Sequence, residues 1–508
     1  MIRFGTPHHT PPKPEIAAKC LVHFRPKNGW LGEEYGFDWM RDDDTNLITG
    51  STSFFGDTKY ESIVAKQYKE AAFTNLVTDS NKYDGFYKKS PALYSSLKSE
   101  YTPNIIPWKV KKDAAGTDMR DRAGVTIKED YFCPWLSLFP KEIEKTIAAT
   151  QGHPAHKVKE ASNFANTIAK LSFILDVEEE ADTLKFEANP NFTITPQEIT
   201  ITGKARGKHA FVNAVTIECL KEFTTDQIIV IKAVKKGVAP AADEVKIAGK
   251  LNVWANHKPR RKTAKVVLVE IATPEIVATK GPRTGNSAGQ KELFERYLRQ
   301  ALIDTTVDTI VLNVTTDTKL QTGGIYVDGG KIRAYYNPIL NPAGTAYIKN
   351  TREPAGFVDL QTYLYTKLKA QLRAVRVADE HKFDNYYVAY YLAEDGGFAN
   401  AAGILQELNG FSSEKKVMLF PGKNDQTAAH EFLHSFNLPH SFTNKESADE
   451  DVKNARTPAA KVVAGATTAL FTFEYAKTEN LMDYSHRIGK TRSSLWKWQW
   501  KKANSSVR

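Results

Sequence analysis

Two patterns of apolar residues divide the chain. Between residues 170 and 272, β-branched and aromatic residues form short runs separated by Gly, Pro and charged turns. This pattern predicts strands of a β-sandwich, at 192–195, 199–202, 210–220, 227–234 and 265–271. Beyond residue 286, apolar residues recur at helical spacing, with short β-rich runs between the helices. The predicted helices cover 287–304, 358–375 and 426–436, and the predicted strands cover 309–314, 386–392 and 416–420.

These patterns predict a multidomain protein with β-rich modules followed by a C-terminal α+β domain. A chain of 508 residues is too long for one ordinary domain. The Gly- and Pro-containing stretch 274–289 is predicted to be a linker. We expect a β-rich module of unassigned fold over 1–165, an immunoglobulin-like sandwich over 166–273 and the C-terminal domain over 290–508.

The candidate chemistry lies on the last predicted helix before residue 437. His430 and His434 are four residues apart, so they project from one helical face, about one turn apart. Two imidazoles in this arrangement can bind one zinc ion, and a carboxylate such as Glu431 can accept a proton from water there. A match of five residues alone also arises by chance on amphipathic helices.

A third histidine follows where the helix should end. Asn437 tolerates left-handed backbone angles, and Pro439 prevents helical continuation. His440 is therefore expected off the helix, where it can complete a three-histidine site with an open coordination position. Such a site is catalytic in type, because structural zinc usually has four protein ligands.

The region resembles the metzincin zinc peptidases, whose pattern is HExxHxxGxxH followed by a turn that carries methionine. The segment Asn480–Ser485 supplies the methionine turn, and the ending Leu-Pro-His-Ser-Phe at 438–442 is most similar to the pappalysin-like branch. Asn437 stands where the family usually has glycine. The resemblance implies one catalytic Zn²⁺ and these roles: ligands His430, His434 and His440, general base Glu431, Met-turn residue Met482, and Tyr484 at the zinc or the oxyanion.

The resemblance also implies a cleft rim, formed by a strand that pairs with an extended substrate through backbone hydrogen bonds. We place this rim near 397–401, with Gly397, Phe398 and Ala399 as substrate-binding residues. A simple tight turn at the double glycine is the alternative.

The predicted function is that of a zinc metalloendopeptidase acting on a protein or peptide. One alternative is a structural or adaptor component of a secretion or injection apparatus that keeps the metal site without useful turnover. Another is hydrolysis of peptidoglycan cross-links. The three cysteines, Cys20, Cys133 and Cys219, are far apart and form no nucleophile or metal pattern.

Charge and targeting signals bear on partners and location. The net charge is +10, and its clearest basic cluster, at 257–265, lies between two β-like runs without interleaved aromatics. We expect a solvated loop there and no nucleic-acid partner. No segment predicts a membrane span, and the start lacks the apolar core of a signal peptide. Synthesis in the cytoplasm is expected.

An export route other than the general secretory one follows if the protein acts outside the cell as a toxin or effector. The aromatic- and glycine-rich segment 21–41 is faintly similar to N-terminal parts of proteins carried by contractile injection systems. This similarity implies that the N-terminal modules dock a carrier. The tryptophans at 496, 498 and 500 predict a helix packed on the C-terminal domain, with membrane-surface or carrier docking as the alternative.

Overall fold

A computed structural model describes most of the chain. The described residues are 18–41, 59–67, 87–101, 104–113, 115–151, 153–164, 166–239, 241–277, 279–333, 359–399, 405–442, 468–474 and 476–507.

The first part of the chain is built mainly of strands. Its helices are α1 (Tyr60–Ile63) and α2 (Pro91–Glu100). Its strands are β1 (Cys20–Pro26), β2 (Gly36–Asp38), β3 (Ala65–Gln67), β4 (Tyr87–Lys89), β5 (Asn104–Val110), β6 (Lys128–Tyr131), β7 (Trp135–Ser137), β8 (Glu142–Ile147), β9 (His156–Ala161), β10 (Ile168–Val177), β11 (Thr183–Phe186), β12 (Phe192–Thr195), β13 (Glu198–Thr200), β14 (Gly207–Cys219), β15 (Gln227–Lys235) and β16 (Glu244–Val253).

The second part alternates strands and helices. Its strands are β17 (Lys262–Thr273), β18 (Arg283–Thr284), β19 (Ile303–Asn313), β20 (Val327–Asp328), β21 (Lys331–Arg333), β22 (Tyr387–Tyr391), β23 (Gly396–Ala399), β24 (Leu405–Leu408), β25 (Gly410–Ser413) and β26 (Lys416–Leu419). Its helices are α3 (Gln290–Leu298), α4 (Asp359–Val375), α5 (Asp425–Ser435) and α6 (Lys497–Ser506), with 3₁₀ turns at Arg299–Ala301, Val377–Asp379 and Ser485–Ile488.

Two sheets of the first part form a sandwich. One sheet has the order β1-β10-β14-β12 and the other β13-β11-β15-β16-β7-β2. Their inner side chains share one apolar core. Phe24 on β1 contacts Phe173 in its own sheet and Phe186 in the opposite sheet, both with ring centroids 6.3 Å apart. The alternation of buried and exposed residues along these strands explains why sequence periodicity detects them.

A mixed sheet organises the second part. Strands β19, β17, β22 and β26 are parallel in that order, and β25 joins antiparallel at the edge next to β26. Strand β17 is buried on both faces. Val266 and Leu268 belong to the core that includes α3 and α5, whereas Val267 and Val269 belong to a second core that includes the leucines of α4. Burial on both faces accounts for its nearly continuous apolar sequence.

The structure confirms a β-rich protein with several sheets, and it corrects the predicted boundaries. Strand β17 was assigned to a sandwich over 166–273, but it is an inner strand of the mixed sheet, between β19 and β22. The predicted linker 274–289 contains β18, which pairs with β17. Conversely, β1, β2 and β7, from the predicted module 1–165, complete the sandwich. Continuous apolar runs look alike in either sheet, so the sequence could not assign these strands.

The C-terminal tryptophans are all buried. Trp496, Trp498 and Trp500 belong to the core that also contains α3 and α5. This finding confirms the packed helix and leaves none of the three rings for a membrane surface. The loop 254–261 joins β16 to β17, so a loop contains only the first part of the basic cluster 257–265. The prediction is wrong for residues 262–265, which belong to β17, and the Arg261 side chain is largely buried against Glu222. Among the described helices, none combines the length and apolarity needed to cross a bilayer.

Candidate metal centre

Helix α5 holds the first two histidines. The side chain of Asn424 caps the helix by accepting a hydrogen bond from the Thr427 backbone N–H at 2.7 Å. The opposite face packs into the core, where Phe432 lies 4.4 Å from Phe294 of α3 between ring centroids. The predicted helix is therefore confirmed, with one face fixed by packing and the histidine face left for chemistry.

The third histidine lies beyond the helix end. Asn437 has a φ of +60°, the left-handed conformation predicted from its sequence position. The Leu438 backbone N–H donates to the Leu433 carbonyl at 3.2 Å, which closes the last turn. The chain then reverses and brings His440 back to His430 and His434.

The three imidazoles converge through the same ring atom. The Nε2 atoms of His430, His434 and His440 lie 3.1–3.2 Å from one another. Nδ1 of His430 is 2.8 Å from the Leu481 carbonyl oxygen, and Nδ1 of His434 is 2.7 Å from the Leu438 carbonyl oxygen. A carbonyl can only accept, so both Nδ1 atoms carry hydrogen and both Nε2 atoms present lone pairs.

This arrangement fits a tetrahedral metal. Zinc with nitrogen ligands at about 2.0–2.1 Å separates those nitrogens by about 3.3–3.4 Å, close to the observed spacing. Backbone carbonyls on the outer ring nitrogens are the usual way to orient such ligands. His430 is buried, whereas His434 and His440 are half-buried, so the trio borders solvent on one side. The structure thus contains a cluster of three histidines that can hold a metal ion.

Burial keeps these histidines neutral. It lowers the pKa of His434 to about 4, and the pKa values of His430 and His440 fall well below the usual range. Neighbouring imidazoles and the Arg492 guanidinium add to the effect at His430 and His440. Neutral imidazole is the form that binds metals.

The predicted methionine turn lies against the trio. Met482 is fully buried, and its carbonyl accepts a hydrogen bond from the Ser441 backbone N–H at 3.1 Å. The preceding residue, Leu481, supplies the carbonyl that orients His430. The Tyr484 ring lies 5.4 Å from that of His430 and 5.0 Å from that of His440, between centroids. The structure therefore brings Met482 and Tyr484 to the histidines, while their roles stay predictions.

Glu431 lies between the helix and the edge of the mixed sheet. A Cβ built on Gly410 would lie only 2.6 Å from Cγ of Glu431, so glycine lets β25 pass close to this side chain. Ser412 on the same strand has its Oγ 3.2 Å from Oγ of Ser435. Strand β25 therefore lies next to the candidate general base.

The predicted rim is not a free sheet edge at Gly397. Strand β23, which contains Gly397, Phe398 and Ala399, is an inner strand of the sheet β20-β21-β23-β24. Gly397 pairs with Arg333 on one side and Glu407 on the other, so its backbone is not a free edge. The expectation of an edge strand is wrong at Gly397, and residues 400 and 401 lie outside the described residues. Substrate contact by these three residues stays a prediction.

A buried polar network that the sequence did not predict surrounds the turn. The Asp483 carboxylate accepts hydrogen bonds from the backbone N–H groups of Ala476, Thr478 and Tyr484 and from the Thr478 hydroxyl. Burial raises the pKa of Asp483 to about 6 despite these bonds. Arg492 donates from Nη1 to the Asp483 carbonyl at 3.0 Å.

A pair of amides completes this network. Asn480 and Gln499 exchange two side-chain hydrogen bonds, at 2.7 and 3.1 Å, and Asn480 Oδ1 also accepts from the Met482 backbone N–H. The polar residues that flank Met482 were the only sequence signal for this network. Their partners come from distant positions that no local pattern identifies.

Comparisons of the chain with protein-family models, curated proteins and solved structures found no significant match. The residues of the site are therefore the basis for a functional proposal.

Proposed function

We propose that the protein is a metal-dependent peptidase whose centre is the histidine trio with Glu431. One observation carries this proposal: three neutral imidazoles present their Nε2 atoms to one point, with a carboxylate on the adjacent helical position. Three protein ligands leave a coordination position open, which is typical of catalytic zinc. Zinc bound there would supply Lewis acidity, which acidifies water and polarises an amide carbonyl.

The residues of this chain then have distinct roles. Glu431 accepts a proton from the attacking water and returns it to the leaving amine, the work of a general base followed by a general acid. The Leu481 and Leu438 carbonyls hold the rings of His430 and His434 in the tautomer that leaves Nε2 available. Tyr484, whose ring lies beside His430 and His440, donates a hydrogen bond to the developing oxyanion.

The sheet edge supports a peptide as substrate. In the part of the chain that the structure describes, β25 pairs only with β26, so its other edge can accept an extended chain. Its first residue, Gly410, lies against Glu431, so a peptide paired there passes the candidate base. Endoproteolysis by an exported toxin or effector is part of the proposal, with docking of a carrier such as a contractile injection system by the N-terminal modules. The same chemistry would cleave a peptidoglycan cross-link.

The test combines metal analysis with an unbiased cleavage profile. Wild-type protein should bind one zinc ion and cleave members of a peptide library. Glu431→Gln keeps the ligands, so zinc should remain while cleavage falls by about 100- to 10,000-fold, the usual effect of removing a general base. Glu414→Gln, at an exposed carboxylate in the β25–β26 turn, serves as the matched control and should cleave like wild type.

Two outcomes would contradict the proposal. Purified protein that takes up no transition metal would remove its basis. Stoichiometric metal without cleavage of peptides, folded proteins or peptidoglycan would instead favour an adaptor that keeps the site without turnover.

A further inference from the structure

The N-terminal segment packs directly on the support of the metal centre. Gly32 has a φ of +78°, and a Cβ built there would lie 1.9 Å from the Ser493 carbonyl oxygen. The Gln300 side chain joins the two segments by donating to the carbonyls of Gly32 and Ser493 at 3.0 and 2.8 Å. Only glycine permits this approach of two backbones. Residues 30–41 and 479–500 therefore form one packed unit, although hundreds of residues separate them.

Arg41 is the charged centre of this unit. It is buried and donates to the carboxylates of Asp38 (3.1 Å) and Glu479, and its guanidinium lies 3.4 Å from the centre of the Trp39 ring. The side chains of Arg41 and Glu479 are each 1% exposed. A buried arginine between two carboxylates fixes the geometry of its partners, because breaking such a pair leaves an uncompensated charge.

Glu479 connects Arg41 to the methionine turn through hydrogen bonds. Its carboxylate accepts from the Ser494 hydroxyl at 3.0 Å, and its carbonyl accepts from the Ser493 backbone N–H at 2.9 Å. The Ser494 carbonyl in turn accepts from the Leu481 backbone N–H at 2.9 Å. Leu481 then orients His430 through its own carbonyl.

We propose that Arg41 is a positioning residue for the metal centre, acting through Glu479 and Leu481 on the ring of His430. Three contacts connect Arg41 to His430. They are the ion pair with Glu479, the backbone hydrogen bonds between 479–481 and 493–494, and the Leu481 carbonyl on the His430 ring. It makes residues 30–41 part of the support of the metal centre. The inference rests on the proposed metal site for its effect on zinc and on the described contacts for its effect on the turn.

The experiment therefore has two readouts in the full-length chain. Hydrogen–deuterium exchange of the metal-free protein reports the turn, where the Leu481 amide should exchange at least about tenfold faster in Arg41→Gln than in wild type. Competition with a chromophoric chelator reports zinc affinity, which should fall by about 10- to 100-fold, as for other changes behind metal ligands. Arg41→Lys keeps the charge but loses the fork geometry, so its effects should be intermediate.

The matched control is a second ion pair that lies away from the turn. Arg261 pairs with Glu222 at 2.5 Å, and both side chains are largely buried. Arg261→Gln should leave both the exchange of the turn and the zinc affinity at wild-type values. Glu479→Gln gives a second route to the same contact if Arg41→Gln does not fold.

Each result has a distinct meaning. Equal exchange at Leu481 in wild type, Arg41→Gln and Glu479→Gln overturns the inference, as does a zinc affinity that is lost equally in Arg261→Gln. Faster exchange in the Arg41 and Glu479 variants, with a wild-type protein that binds no metal, upholds the support of the turn and overturns the proposed function.

Discussion

The sandwich and the methionine turn bury very different side chains. The sandwich core is mostly apolar, and its polar and charged side chains are largely at the surface. Between residues 478 and 485, seven of eight side chains are almost fully buried, and five of these seven are polar or charged: Thr478, Glu479, Asn480, Asp483 and Ser485.

This difference separates regions that provide stability from regions that fix geometry. An apolar core gains free energy from burial and tolerates small adjustments of packing. A buried polar network gains little net free energy, because desolvation opposes each hydrogen bond, but it holds its members in one arrangement. The turn has this second character, and it contacts His430, one of the three histidines that can hold a metal ion.

If the two regions differ in this way, a change in the turn should lower both stability and zinc affinity, whereas a change in the sandwich should lower stability alone. Asn480→Ala removes the bonds to Gln499 and to the Met482 backbone N–H, leaving buried groups without partners. We expect the free energy of unfolding to fall by about 2–5 kcal/mol. We also expect zinc affinity to fall by about 10- to 100-fold. Thermal unfolding and chelator competition measure the two quantities.

Leu251→Ala in the sandwich is the matched control. Leu251 is fully buried on β16, so its truncation should cost about 2–5 kcal/mol, the usual range for buried leucines. Its zinc affinity should equal that of wild type. Equal affinity in both variants would show that the turn is only another piece of core.

The sequence predicted the cluster of candidate metal ligands because these residues are close together in the chain. His430, Glu431 and His434 share one helix, and an asparagine and a proline place His440 six residues later. Each of these signals acts within about one or two helical turns, where backbone geometry is nearly fixed. The helix and the left-handed Asn437 were therefore predicted correctly.

The rest depends on contacts between distant residues. Nothing in the sequence near Arg41 indicates a partner at Glu479, and nothing near Lys262–Thr273 indicates which sheet accepts that strand. The prediction of a free edge at Gly397 was wrong for the same reason. A double glycine marks a strand near residue 397, but only the fold shows that both edges of this strand are paired at Gly397.

A second prediction concerns Asp38, the buried carboxylate that Arg41 contacts, and its effect on how stability depends on pH. Burial raises the pKa of Asp38 to about 6, although Arg41, the Lys497 backbone N–H and the Tyr101 hydroxyl all favour the ionised form. In the unfolded chain the pKa is about 3.9. Between about pH 4 and pH 6 the folded protein thus holds a proton that the unfolded chain has released, and stability from this group falls as pH rises.

Asp38→Asn removes this titration. The stability advantage of wild type over Asp38→Asn should therefore shrink from pH 4 to pH 7. The decrease should be up to about 3 kcal/mol, given the difference between the folded and unfolded pKa of Asp38. Thermal midpoints across this range give the difference, and Asp118→Asn, at an exposed carboxylate, should show no such trend. An advantage that grows with pH would mean that Arg41 outweighs burial.

The smallest effect is expected where the sandwich carries its ion pairs. Lys232 and Glu187 lie 2.5 Å apart, but their side chains are 37% and 43% exposed, so water and salt screen the attraction. Lys232→Gln should change the free energy of unfolding by about 0.5 kcal/mol or less and leave zinc affinity unaltered. The measurement is urea unfolding at low and high salt, since a surface pair that matters must weaken as salt rises. A loss for Lys232→Gln as large as the loss of about 2–5 kcal/mol expected for Asn480→Ala would mean that exposure to solvent does not weaken polar interactions in this protein. The distinction between its stabilising and its positioning regions would then have no electrostatic basis.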